Sequence, residues 1–85
     1  MALLVEAGAR PFKIQGGGHQ EVGIPDILVC YRGQFIGLEA KMPGGKVSPR
    51  QALVMKSIRD AGGIAVVFTA VDQVELLLAR IKGRS

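Results

Sequence analysis

The chain has 85 residues and a formal net charge of +4 at pH 7, and nearly half of its residues are apolar. This length suits one domain over residues 1–85, with a thin core that Val, Ile, Leu and Ala must fill because the sequence contains no Trp. No apolar run approaches the about 18 residues that a membrane-spanning helix needs, and the N-terminus lacks a secretory signal, so we expect a cytoplasmic protein without a membrane span.

The first third of the chain predicts little regular structure. Residues 1–6 are apolar and predict a short helix that stops at Gly8, and residues 11–14 predict a brief strand. The stretch from Gly16 to Glu21 begins with three glycines and has no hydrophobic period. It therefore predicts a loop.

Two apolar runs in the middle of the chain, residues 27–31 and 35–40, predict a β-hairpin that turns at Arg32 and Gly33. Both faces of each run are largely apolar, which is typical of strands that helices cover on both sides. Cys30, the only cysteine, lies within this pattern. We therefore expect a buried, reduced thiol in a reducing compartment.

The rest of the chain predicts a helix, a strand and a second helix. Ser48 is a favourable N-cap, Pro49 suits the first helical position, and Gln51 completes a capping box. The helix ends at Gly62 and Gly63, residues 64–69 predict a buried strand, and residues 71–81 predict the last helix. The inward side of the first helix is predicted to consist of Val54, Met55, Ile58 and Ala61. The predicted fold is α/β, a small mixed β-sheet flanked by helices in the order helix-β-β-β-helix-β-helix.

The hairpin brings charged residues together at its open end, away from the turn. With a symmetric loop of two or four residues around Arg32 and Gly33, Asp26 faces Glu39 with Cβ atoms about 5 Å apart. Lys41 lies two positions beyond Glu39 on the same face, about 7 Å further along. A three-residue loop would place the two acids on opposite faces, so this prediction depends on the turn.

Two opposed carboxylates repel each other unless a cation lies between them. A hard divalent cation takes oxygen ligands and keeps several waters, so we expect Mg²⁺ or Mn²⁺. Zinc is disfavoured because the single His and the single Cys show no ligand spacing. Gln51 lies on the inward side of its helix, and it either points towards the two acids or serves only the capping box.

Basic residues are concentrated between positions 41 and 59. They are Lys41, Lys46, Arg50, Lys56 and Arg59. Such a segment suits a polyanion such as DNA, although an ordinary solvated helix surface has the same composition. The two nearest the acids, Lys46 and Arg50, are the better candidates for sequence-independent phosphate contacts, and we expect Lys56 and Arg59 to face outward.

A family resemblance rests on the same residues. Pro25-Asp26, followed by Glu39-Ala40-Lys41 at the end of the next strand, resembles the PD-(D/E)XK motif of a metal-dependent nuclease superfamily. More narrowly, Lys13 with Ile14, then "GIPDILV", "FIGLEAK" and "VSPRQALVMKSIRDAGGIAVV", resemble the virus-type replication-repair nuclease (VRR-NUC) family. The resemblance extends over residues 11–68, most of the chain, and implies a restriction-endonuclease-like core.

The resemblance implies a Mg²⁺-dependent, structure-selective DNA endonuclease with the catalytic residues Asp26, Glu39, Lys41 and Gln51. Asp26, Glu39 and the Ala40 carbonyl would hold the metal, and Lys41 would orient or activate the attacking water. The expected DNA contacts are Lys13, Lys46, Arg50 and His19. Small stand-alone members are similar to homodimeric Holliday-junction resolvases, which implies branched DNA as substrate and a phage or prophage origin. A homodimer also suits a small apolar domain.

The sequence departs from the family's pattern in one respect. The family carries a further acid on a longer first helix, whereas Glu6 is the only acid before Lys13 here. This leaves open a DNA-binding module that has kept the nuclease fold with weak catalysis. A non-specific or restriction-type nuclease of the same superfamily is a further alternative, because no sequence feature decides the substrate preference.

Overall fold

The structure is a computed structural model that describes residues 2–14 and 21–84. Helix α1 (Ala2–Glu6) precedes an antiparallel meander of three strands, β1 (Arg10–Lys13), β2 (Ile27–Tyr31) and β3 (Gln34–Ala40). Helix α2 (Pro49–Asp60) then leads to β4 (Ile64–Phe68), which pairs parallel with β3, and α3 (Val71–Gly83) follows. The protein is thus a small α/β domain with a four-stranded mixed sheet. Of the predicted loop from Gly16 to Glu21, residues 16–20 lie outside the described residues.

The turn of the β2–β3 hairpin has the two-residue form on which the predicted register depends. Arg32 and Gly33 both have positive φ, 49° and 79°, as the twist of a two-residue hairpin requires. Tyr31 therefore pairs with Gln34, and the pairing continues outward to Ile27 and Leu38. This confirms the predicted pairing of β2 with β3. Continued by one step, the same register sets Asp26 opposite Glu39.

One face of the sheet holds the hydrophobic core. Val29 of β2 and Ile36 and Leu38 of β3 are almost fully buried on this face. They pack with the buried residues of the two terminal helices, which are Leu4, Val74, Leu78 and Ile81. Burial of these side chains, each contributing about 1.5–3 kcal/mol, fixes α1 and α3 against this face of the sheet.

The opposite face of the sheet is only partly covered. Helix α2 packs against β4 and over the second half of β3, burying Val54 and Met55. Cys30 is exposed and Phe35 is 48% exposed, because α2 does not extend over the neighbouring part of β2. The predictions of a buried thiol and of strands covered on both faces are therefore wrong here. Ala61, predicted to face inward, is exposed at the C-cap of α2.

An arginine occupies a backbone carbonyl at the edge of β4 that does not pair with β3. The Phe68 carbonyl accepts from the Lys41 N–H towards β3, so Ala65, three positions earlier, directs its backbone groups away from β3. Arg59 Nε and Nη2 donate to the Ala65 carbonyl at 3.1 and 2.7 Å. A charged group on an edge carbonyl hinders pairing with another strand. Arg59, predicted to face outward, is therefore engaged with the sheet.

Gly37 allows two elements to approach the sheet closely. A Cβ at this position would lie 2.9 Å from Pro25 Cγ and 3.3 Å from Ile58 Cδ1. Pro25 is fully buried and directly precedes Asp26. The absence of a side chain at position 37 thus lets both the Asp26 segment and α2 lie against β3.

Substitution of this glycine tests that packing. We expect Gly37→Ala to lower the free energy of unfolding by about 1–3 kcal/mol, because the added methyl group overpacks the contact with Pro25. Chemical denaturation measures the loss. Gly83→Ala is the matched control, since a Cβ there meets nothing within 4 Å. Equal tolerance of both substitutions would contradict the close approach.

Candidate functional site

Four predicted site residues converge at the end of β3. Asp26 precedes β2, Glu39 lies near the end of β3, Lys41 follows that strand, and Gln51 lies in the first turn of α2. Strand alternation puts Glu39 on the face that α2 covers, opposite the core residue Leu38. The site therefore occupies the junction between the sheet and the start of α2.

Asp26 is held by the backbone of the neighbouring strand. Its Oδ2 accepts a hydrogen bond from the Ala40 N–H at 3.1 Å, and its carbonyl accepts from the Ile14 N–H at 2.8 Å. Within a strand, the N–H and C=O of one residue point to the same edge, so the Ala40 carbonyl lies on the Asp26 side of β3. The predicted ligand groups Asp26 and the Ala40 carbonyl thus lie on the same side of β3.

Glu39 is a buried acid whose two carboxylate oxygen atoms differ in their hydrogen bonding. The residue is only 2% exposed. Its Oε2 accepts from Gln51 Nε2 at 3.1 Å and lies 3.6 Å from Lys41 Nζ. Its Oε1 is buried and receives no hydrogen bond from the described residues. Because burial of an unsatisfied carboxylate oxygen is costly, Oε1 is a position that a cation would stabilise.

Gln51 performs both roles that its sequence position left open. Its Oε1 accepts from the Ser48 N–H at 2.9 Å, and its own N–H donates to Ser48 Oγ at 3.1 Å, which completes the capping box of α2. The remaining amide group, Nε2, donates to Glu39. One side chain thus starts the helix and holds the buried acid.

The surroundings of Glu39 disfavour the charged form of its carboxyl group. Burial raises the pKa of the Glu39 carboxyl above its ordinary value of 4.5, and the neighbouring Asp26 carboxylate raises it further. The charge of Lys41 lowers this pKa, as do favourable interactions with the Asp26 backbone N–H and the Lys41 side chain, but together they do not cancel the rise. The charged form of Glu39 is therefore costly in this environment, and a divalent cation bound to it would lower that cost.

The raised pKa of Glu39 predicts a pH-dependent effect of Glu39→Gln. The folded protein takes up this proton more readily than the unfolded chain, so wild-type stability falls as pH rises from about 4.5 through the raised pKa. We therefore expect the Gln variant to melt at a higher temperature than wild type at pH 8, in buffer without divalent cations. The difference should shrink towards pH 4.

The control for this comparison is Glu75→Gln, at an exposed acid on α3. It removes the same charge away from the site, so its effect on melting should not follow that pH course. A Glu39→Gln variant that is less stable than wild type at pH 8 would contradict the cost assigned to the buried charge.

The donor atoms fit a hard cation. Asp26, Glu39 and the Ala40 carbonyl offer oxygen only, which suits Mg²⁺ or Mn²⁺. Within residues 2–14 and 21–84, no three His, Cys, Asp or Glu side chains come together, so two carboxylates form the acidic part of the site. Glu6 instead lines a groove between α1 and α3 with Tyr31, on the core side of the sheet. It does not supply a third acid.

The predicted DNA-contact residues are spread over the structure, whereas the two acids lie together. Arg50 Nε donates to the Val22 carbonyl at 3.1 Å, and its Nη2 lies 4.0 Å from Glu21 Oε2, although half of its side chain stays exposed. Lys46 is exposed in the loop before α2. Lys13 pairs with Ile27, so strand alternation places it on the opposite face of the sheet from Glu39. His19 lies outside the described residues.

Gly37 is the residue whose part in the site the sequence analysis missed. Its contact with Pro25 sets the position of Asp26, yet the residue carries no functional group. A glycine inside an otherwise apolar strand was the available signal, because it often marks a close approach of backbone or ligand.

Comparisons with protein-family models, with curated proteins and with solved structures gave no match to this chain. The nuclease resemblance therefore rests on the motif residues and their arrangement. None of the helices within the described ranges has the length and apolar character needed to cross a bilayer.

Proposed function

We propose that this protein is a Mg²⁺-dependent DNA endonuclease of the PD-(D/E)XK superfamily, close to the VRR-NUC family. The observation that carries the proposal is the buried Glu39 carboxylate, whose Oε1 lacks a hydrogen bond while Lys41 Nζ lies 3.6 Å from its Oε2. A buried charge on Glu39 lowers the stability of the fold, so we infer that the residue serves a function. Metal binding beside a positive charge provides one.

The fold and the spacing of the motif support the superfamily assignment. The acid before β2, the Glu-x-Lys at the end of β3 and the glutamine of α2 meet at one place on a four-stranded mixed sheet. The hairpin register accounts for the closeness of Asp26, Glu39 and Lys41, and the hydrogen bond from Gln51 adds a contact that the hairpin alone does not require. Membership in the VRR-NUC family is the narrower part of the proposal.

Each site residue has a defined part in phosphodiester hydrolysis. A bound Mg²⁺ supplies Lewis acidity and lowers the pKa of its water. Asp26, Glu39 and the Ala40 carbonyl would hold the ion, and Gln51 keeps the Glu39 carboxylate in place. Lys41, whose side chain is 23% exposed, reaches solvent and stabilises the negative charge that develops on the phosphate.

We further propose branched DNA as the substrate and a homodimer as the active form, acting in the cytoplasm of a phage-infected or prophage-carrying cell. A net charge of +4 favours a polyanion. Exposed apolar side chains, including Phe12, Phe35, Val67 and Leu76, offer surface for a second copy. Two active sites in one dimer would allow paired cuts across a four-way junction.

The direct test is cleavage of four-way junction, flap, duplex and single-stranded DNA with and without Mg²⁺. We expect Mg²⁺-dependent cleavage that Asp26→Asn and Lys41→Ala each lower by about 100-fold or more. Lys56→Ala is the matched control for lost charge, because Lys56 is exposed and forms a surface pair with Asp60 at 2.7 Å. Equal inactivity of wild type and variants on every substrate would overturn the enzyme proposal.

A second candidate is a DNA-binding module with weak catalysis. The observation that favours it is the acidic part of the site, which has two carboxylates and no contribution from Glu6. This candidate predicts salt-dependent DNA binding without cleavage, and no change in melting temperature with Mg²⁺. A non-specific or restriction-type nuclease is instead distinguished by its preference among the four substrates.

A further inference from the structure

The N-cap of α2 and the buried acid share one side-chain amide. Gln51 uses its oxygen for the Ser48 N–H at 2.9 Å and its nitrogen for Glu39 Oε2 at 3.1 Å. Ser48 Oγ in turn accepts from the Gln51 N–H at 3.1 Å. Three hydrogen bonds therefore link a loop residue to Glu39 through a single glutamine.

The chemistry of these partners permits one orientation of the amide. Rotating the Gln51 amide by half a turn would set its NH₂ against the Ser48 N–H and its oxygen against the Glu39 carboxylate. Both contacts would be repulsive, since donors would meet donors and acceptors would meet acceptors. The cap thus determines that Gln51 presents N–H groups to Glu39.

This orientation also decides which Glu39 oxygen stays free. Because Gln51 and Lys41 both approach Oε2, Oε1 is the buried atom without a hydrogen bond from the described residues. Groups that hydrogen-bond to a metal ligand orient the lone pairs that face the metal. Loss of such groups commonly weakens metal binding.

We propose that Ser48 is a positioning residue for the cation site, acting through Gln51 to direct Glu39 Oε1 towards the ion. The inference rests on the proposed metal site. Ser48 is not proposed as a ligand of the ion. Its hydroxyl holds the first turn of α2 in the geometry that keeps the Gln51 oxygen on the Ser48 N–H.

The test compares Mn²⁺ affinity by calorimetry for wild type, Ser48→Ala and Ser48→Thr. We expect Ser48→Ala to weaken Mn²⁺ binding by about tenfold, and Ser48→Thr to restore it because threonine is also a good N-cap. Ser48→Gly is a second variant that lacks the hydroxyl, and glycine at an N-cap preserves most helix stability. It should also bind Mn²⁺ more weakly.

The first turn of α3 supplies a matched control. There Gln73 Oε1 accepts from the Thr69 and Ala70 N–H groups at 2.7 and 3.3 Å, in the same capping position but away from the site. Gln73→Ala should destabilise its helix start and leave Mn²⁺ affinity unchanged. This control separates a positioning effect from a general loss of stability.

The outcomes separate the two levels of the proposal. If wild type binds Mn²⁺ and both Ser48→Ala and Ser48→Gly bind it equally well, the positioning role is wrong while the metal site stands. The positioning role is also wrong if Gln73→Ala weakens Mn²⁺ binding as much as Ser48→Ala does. If wild type binds no Mn²⁺ and cleaves no DNA, the proposed function itself fails.

Discussion

The hydrogen bond from Gln51 Nε2 to Glu39 Oε2 is the contact on which the architecture of the site depends. It ties the first turn of α2 to the end of β3 and partly compensates the burial of a carboxylate. Without such a partner, a glutamate that is 2% exposed would favour its neutral form more strongly or move towards solvent. The helix start and the candidate metal site are therefore one structural unit.

This unit couples stability to function. Burial and Asp26 disfavour the charged form of Glu39, so a thin core must support a site that opposes folding near neutral pH. A bound cation would remove this cost, because both Glu39 and Asp26 would be attracted to it rather than repelling each other. Its binding would also stabilise the folded chain by mass action. Gly37 contributes to the same unit by letting Pro25 bring Asp26 close.

Much of this arrangement could be predicted from the sequence because local rules determined it. The positive-φ turn at Arg32 and Gly33 fixed the register that sets Asp26 opposite Glu39, and the Ser48 capping box fixed the start of α2. Cys30 was mispredicted because an apolar strand pattern does not reveal how far a covering helix extends. The two hydrogen-bonding roles of Gln51 were weighed as alternatives, and only three-dimensional geometry shows that one amide fulfils both.

The central claim, that buried Glu39 is a metal ligand, is tested most directly by anomalous diffraction from crystals grown with Mn²⁺. The account predicts a Mn²⁺ peak within coordination distance of Glu39 Oε1, shared with Asp26 and the Ala40 carbonyl, with Gln51 still bonded to Oε2. The account would be contradicted if Mn²⁺ were fully occupied at other positions and no Mn²⁺ peak lay beside Glu39. In that case Glu39 Oε1 would accept a hydrogen bond from a protein donor instead.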